Sequence, residues 1–120
     1  MTHGRLTGAC HCGAVTVSLP ARPDGLSRCN CTLCTKTGAV WGYYDPADVT
    51  VTGTLDGYVR ADMPEPCLST DRCRTCGCIV QWHAIVPLDC PRMGINMNLF
   101  DPADIAGIAT DHIDGRSWPL

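Results

Sequence analysis

Seven of the ten cysteines fall into three tight clusters: Cys10-His11-Cys12-Gly13, Cys29-Asn30-Cys31-Thr32-Leu33-Cys34 and Cys73-Arg74-Thr75-Cys76-Gly77. Thiolates two or three residues apart share a turn and can converge on one soft cation. The first and third clusters each end in a glycine, which lets backbone amides curl toward the sulfurs through a positive φ and a close approach. Together these two clusters supply four sulfurs, the donor set of a closed, tetrahedral structural zinc site. Cys10, Cys12, Cys73 and Cys76 would then clip the beginning of the chain to its latter half. Structural zinc contributes roughly 10–16 kcal/mol of folding free energy in small peptides, enough to support a modest core. The middle cluster differs. Cys29, Cys31 and Cys34 offer three thiolates with no local fourth ligand, and three protein donors with one open position is the arrangement of catalytic zinc. Zinc deprotonates a bound thiol, so an exogenous thiol or a water suits that vacancy.

Other readings of these cysteines stay open. An even count of ten permits disulfides. The C-x-C spacings, and an opening Met1-Thr2-His3-Gly4-Arg5 with no apolar signal-peptide core, lead instead to an expected reducing cytoplasm. Iron–sulfur clusters take four thiolates at other spacings. A redox role for Cys73-Arg74-Thr75-Cys76 needs a βαβ setting that the pattern lacks. Cys67, Cys78 or Cys90 could close the three-cysteine site and make it a second structural zinc; otherwise all three read as small buried hydrophobes.

Around the clusters, Arg28 directly precedes Cys29 and Lys36 lies two residues past Cys34. Either can neutralise thiolates or meet a carboxylate, and either can be a solvated surface charge. His11 sits between two ligands and points away from them by alternation. His83, beside Trp82 in an apolar run, reads as a satisfied, half-buried histidine. Trp41, Tyr43 and Tyr44 follow the middle cluster; core packing is their default role, and alternate ones are placed to wall a pocket.

The elements that must hold these residues are short. Residues 14–19 alternate apolar and polar, the period of a half-buried strand. Strands are also expected over 39–44, 78–86 and 94–100, the last with Ile95, Met97 and Leu99 on one face. Residues 49–52 and 55–60 read as a hairpin around Gly53-Thr54. Only 32–37 and 102–107 leave room for helical turns. Glu65 is the only glutamate and Lys36 the only lysine, while glycine numbers 12 and proline 9, so long helices are excluded. The expectation is one mainly β domain over residues 1–120.

Composition excludes whole classes of function. With 45% hydrophobic and 18% charged residues the chain is globular rather than disordered. A formal charge of −3 argues against a nucleic-acid binder. Seven metal-bound thiolates with two divalent ions would take it to about −6. No apolar run approaches the roughly 20 residues of a membrane span.

Read in order, C-H-C-G-A-V-T, C-N-C-T-L-C-T-K-T-G, C-R-T-C-G and Gly94-Ile95-Asn96-Met97-Asn98 with a following Asp-Pro-Ala-Asp resemble the glutathione-dependent formaldehyde-activating enzymes, whose domain is shared with centromere protein V. The resemblance runs from about residue 6 to Trp118. It implies a β-tent of twisted antiparallel sheets stapled by zinc. It also implies a structural zinc on Cys10, Cys12, Cys73 and Cys76 and a catalytic zinc on Cys29, Cys31 and Cys34, with glutathione beside the latter. The implied activity is that of a carbon–sulfur lyase on S-(hydroxymethyl)glutathione. The expected partner is a small thiol or thiol–aldehyde adduct. The alternative is a non-catalytic, zinc-stapled binding module, and a zinc-bound thiol reservoir or redox sensor is a third option.

Overall fold

The computed structural model describes residues 4–117; Trp118, at the end of the resemblance, lies outside them. Among the described residues ten strands form two sheets. The smaller holds β1 (Leu6–Ala9), β2 (Thr16–Leu19) and β5 (Thr50–Thr52) in the order β1-β2-β5, all antiparallel. The larger is built from β3 (Leu26–Cys29), β4 (Trp41–Tyr44), β6 (Leu55–Val59), β7 (Leu68–Cys73), β8 (Ile79–Ala84), β9 (Met93–Asn96) and β10 (Thr110–Ile113). Its order is β10-β3-β4-β9-β8-β7-β6. The architecture is mainly β, as expected, with one departure from antiparallel pairing: β10 runs parallel to β3.

Both sheets feed one core. The alternation read in residues 14–19 places Val15, Val17 and Leu19 at zero exposure, where they join Val80, Ile95, Met97 and Phe100 in one cluster. The helices are short, α1 (Thr32–Thr37) and α2 (Pro102–Ile105). Asp101 starts α2 by accepting from the Ala103 amide at 2.8 Å, and Pro102 takes the first helical position, where its missing N–H costs nothing.

Two local expectations are corrected. Residues 49–52 and 55–60 do not pair with each other: β5 adds to β2, whereas β6 pairs with β7. The link through Gly53 is a crossing between sheets, its backbone wedged against Ala14 and Val15, and Val51 thereby packs against the shared core. The strand expected over 94–100 ends at Asn96. Its buried side chain accepts from the Val40 and Asn98 amides at 3.3 and 3.2 Å and donates to the Ile79 carbonyl at 2.9 Å, which turns the chain into a 3-10 helix over Met97–Leu99.

Candidate metal centre and its cavity

The fold brings the seven clustered cysteines into two groups. The sulfurs of Cys10, Cys12, Cys73 and Cys76 lie within 4.8 Å of one another, as do those of Cys29, Cys31 and Cys34. Among the described residues no further cysteine, histidine or carboxylate joins either group, so Cys67, Cys78 and Cys90 do not close the second. Nor are those three uniformly buried: Cys67 and Cys78 are half-buried, and Cys90 is exposed in the surface loop over 85–90, where Ile85, Val86 and Leu88 are also open.

The four-cysteine group joins the two sheets. Cys10 and Cys12 sit in the β1–β2 turn, Cys73 ends β7, and Cys76 lies in the turn before β8. Amides converge on the sulfurs: Val15 N–H on Cys10 at 3.3 Å, Ala14 N–H on Cys12 at 3.4 Å, and the Thr75 and Cys76 N–H groups on Cys73 at 3.4 Å. Gly13 and Gly77 both take φ of +81°, the backbone expected of them, although the space beside each is open, so conformation rather than crowding requires glycine there. The Cys10–Cys12 and Cys12–Cys73 sulfurs are 3.6 and 3.7 Å apart, close to the ~3.8 Å edge of a tetrahedron with zinc–sulfur bonds of about 2.3 Å. The donors therefore fit a metal ion. Crowding also shifts their acidities. The Ala14 amide lowers the Cys12 thiol, but desolvation and the neighbouring sulfurs push it up to about 12. Cys76 is drawn down to about 5, chiefly by the Cys78 and Cys12 backbone. Crowded thiols cannot all ionise unless a cation joins them.

The three-cysteine group is built on the end of β3 and the start of α1. Cys31 caps α1 through its own sulfur, which accepts the Cys34 N–H at 3.3 Å, and the Cys31 N–H reaches Cys29 Sγ at 3.4 Å. Burial raises the Cys31 thiol, but the Cys34 amide, the neighbouring sulfurs and the Arg60 charge outweigh it and leave a lowered pKa. Cys34 is pushed up to about 12, first by burial and then by Cys31 and Cys29, against a Trp41 contact. The segment after β10 folds over the cluster. Asn30 donates to Asp114 at 2.9 Å and accepts the Arg116 N–H at 3.0 Å, and a Cβ on buried Gly115 would stand 2.5 Å from Cys29 Sγ.

This cluster opens onto a cavity of about 160 Å³ walled mainly by Trp41, Tyr43, Trp82, Leu68 and Ile113. Trp41 and Tyr43 alternate along β4 onto that wall, whereas the Tyr44 hydroxyl donates to the Ala21 carbonyl at 2.8 Å. Trp82 lies across Gly94, where any side chain would collide with the indole. The charged lining residue is Arg60, just past β6, with a side chain 14% exposed. Nothing in the sequence marks it for a role: it is the last residue of the expected 55–60 strand, with no cysteine or other chemical motif beside it. Arg28 and Lys36 are both exposed and line other grooves: Arg28 beside Asn30 and His112, Lys36 beside Tyr58 and Arg60. His11 is exposed. His83 is exposed rather than half-buried, with Nδ1 2.6 Å from the Asp71 carboxylate.

Residues 5–110 match the family described as glutathione-dependent formaldehyde-activating enzyme. The chain belongs to this family. A crystal structure of a Rhodobacter sphaeroides protein, a structural-genomics target, superimposes with a TM-score of 0.65 at 25% sequence identity, covering 88% of this chain and 100% of that one. No curated protein gives a significant match. Membership in the formaldehyde-activating family supports a glutathione-dependent or related function with a small thiol as partner. Among the described residues no helix is long and apolar enough to cross a membrane.

Proposed function

We propose that the protein is a zinc-dependent carbon–sulfur lyase that interconverts S-(hydroxymethyl)glutathione with glutathione and formaldehyde, or acts on a related thiol adduct. The observation that carries this reading is the position of the three-sulfur cluster on the wall of a largely apolar cavity. In this reading Cys10, Cys12, Cys73 and Cys76 hold a structural zinc, and Cys29, Cys31 and Cys34 hold a catalytic one. All-sulfur donor sets select soft ions, zinc foremost among those available in a reducing compartment such as the cytoplasm. When bound, zinc supplies a thiol held as its thiolate at neutral pH.

The chain's own residues do the rest. Trp41, Tyr43 and Trp82 keep water from the carbonyl, so attack by sulfur competes well with hydration. The sulfur lone pair forms the carbon–sulfur bond, the carbonyl π pair moves to oxygen, and that oxygen regains from bulk solvent, at the cavity mouth, the proton the thiol had released; the reverse breaks the same bond. A cavity of about 160 Å³ suits a one-carbon aldehyde and a CH₂–S arm but not a whole tripeptide. The remaining peptide lies in the adjoining groove of Thr32, Tyr58, Arg60 and Lys36, where the Lys36 ammonium suits a carboxylate.

Magnetisation-exchange NMR on equilibrated glutathione and ¹³C-formaldehyde tests the proposal. Zinc-loaded protein should speed exchange between adduct and free aldehyde, and Cys31→Ser should abolish the gain. Fully loaded protein that leaves the exchange rate unchanged is a binding module instead.

A further inference from the structure

The cavity places a single cation against three sulfurs that carry net negative charge even with a metal bound. Three thiolates and a divalent ion sum to −1, and a fourth thiolate makes that −2 inside a cavity with mostly aromatic and aliphatic walls. Charge of that kind is costly without a partner close by. Among the described residues Arg60 is the only basic side chain lining the cavity. Lys36 and Arg28 are solvated in other grooves, and Arg92 stacks 3.9 Å over the Tyr43 ring without entering it.

Arg60 is also held still. Its Nε donates to Asp62 Oδ1 at 2.8 Å and its Nη2 to Asp62 Oδ2 at 2.7 Å, a two-point clamp. Nη2 also reaches Thr32 Oγ1 at 3.3 Å, and Thr32 is the residue directly after Cys31. Asp62 is 44% exposed on its side chain, so solvent screens its charge, whereas Arg60 is turned inward at 14%. The clamp thus fixes a positive charge on the cavity wall that the sulfurs share, beside Cys31, while its negative half faces water.

We propose that Arg60 is the positioning residue that makes the three-cysteine centre accept an anionic fourth ligand, its guanidinium holding the incoming thiolate sulfur. The inference rests on reading Cys29, Cys31 and Cys34 as an open, thiol-binding metal centre. An entering thiol releases its proton to solvent, and the conjugate base is what Arg60 stabilises. Arginine suits the task because it stays charged at any relevant pH and its planar fork survives immobilisation.

Cobalt-loaded protein gives a readout independent of turnover, because a new cobalt–thiolate bond adds a charge-transfer absorption band. Wild type, Arg60→Gln, Arg60→Lys and Asp62→Asn are titrated with 2-mercaptoethanol, which has no carboxylate, and with glutathione, across the thiol's ionisation range. Arg60→Gln should bind both thiols about tenfold more weakly, with the pH midpoint raised by about one unit, the effect of a lost neighbouring charge. Arg60→Lys should recover most of that loss. Asp62→Asn, which removes the screened negative partner, should move the midpoint the opposite way and by less. Merely structural damage would shift both variants in one direction. Wild-type affinity of Arg60→Gln for both thiols overturns the inference. Weakening confined to glutathione also overturns it, because Arg60 would then grip the peptide carboxylates rather than the sulfur. Absence of any thiol-induced band in wild type overturns the underlying metal-centre reading and this inference with it. The four-sulfur band monitors folding in each variant. If Arg60→Gln loses it, the opposed shift in Asp62→Asn decides the matter, and a midpoint that stays or rises there overturns the proposal.

Discussion

A methyl group at position 115 would occupy space already held by the Cys29 sulfur, 2.5 Å from the added carbon, and would also crowd Cys31 Cβ at 2.9 Å. Neither neighbour can yield without spoiling the spacing of the three sulfurs. Gly115→Ala should therefore weaken metal binding at that cluster and destabilise the protein by about 1–3 kcal/mol, the usual cost of overpacking. Elemental analysis and thermal unfolding check this; two tightly held metals per chain would show that the covering segment simply moves aside. The cysteines themselves should divide by role. Cys76→Ser removes a donor from the group that ties two sheets together and should largely unfold the domain, since metal binding there is folding free energy. Cys31→Ser should spare most of the fold and lose the second metal. Equal loss of thermal stability in both variants would make the second centre structural as well.

At the scale of elements, the least conspicuous strand does the most for the site. β10 is almost wholly exposed, yet its parallel pairing with β3 sets Ile113 opposite Cys29 and delivers Asp114–Ser117 over the cluster. Asp114 latches that segment, accepting from Ser117 Oγ at 2.6 Å and from Asn30 Nδ2 at 2.9 Å, and these bonds hold its carboxyl below the usual range. A depressed folded-state pKa means the latch is fully formed above the ordinary carboxylate value and fades as pH falls through the lowered one. Asp114→Asn imitates the acid form at neutral pH. It should speed hydrogen exchange at the Arg116 amide, which donates to Asn30; unchanged exchange would locate the latch elsewhere. β10 also shows why part of the fold was illegible. Residues 16–19 alternate apolar and polar, and 41–44 and 79–84 are rich in aromatic and β-branched residues, so these strands were readable. β3, β7 and β10 carry Ser27, Arg28, Ser69, Asp71, Asp111 and His112, residues that signal loops. In β7 the polar residues Ser69 and Asp71 are buried and satisfied, with Asp71 taking Ser69 at 2.7 Å, Gln81 at 2.7 Å and His83 at 2.6 Å. Two of those partners, Gln81 and His83, come from β8, a pairing that leaves no local period in β7. The cysteine groups were legible because ligand spacing is a local property. Arg60 was not, because its loop meets the start of α1 only through tertiary contacts of Arg60 and Asp62 with Thr32.

Across the whole molecule, the two candidate metal sites hold different parts of the fold. The four-cysteine group links the β1–β2 turn to the β7–β8 turn, residues 61 apart in sequence between Cys12 and Cys73, and so joins one sheet to the other. The three-cysteine group lies within a single sheet and its adjoining helix, and the packing of Val17, Ile95 and Met97 does not pass through it. Ordinary domains are stable by about 5–15 kcal/mol, a span comparable to what one structural zinc contributes. Loss of the first metal should therefore be global and loss of the second local. A chromophoric chelator added to zinc-loaded protein should remove two ions per chain in two phases. The first, from three protein donors, should leave the near-ultraviolet circular dichroism of the core intact. The second, from four, should coincide with collapse of that signal. Glutathione should slow the first phase alone, because a fourth ligand there competes with the chelator. A single phase in which both ions leave as the fold is lost would mean that the two centres stabilise the chain as one unit.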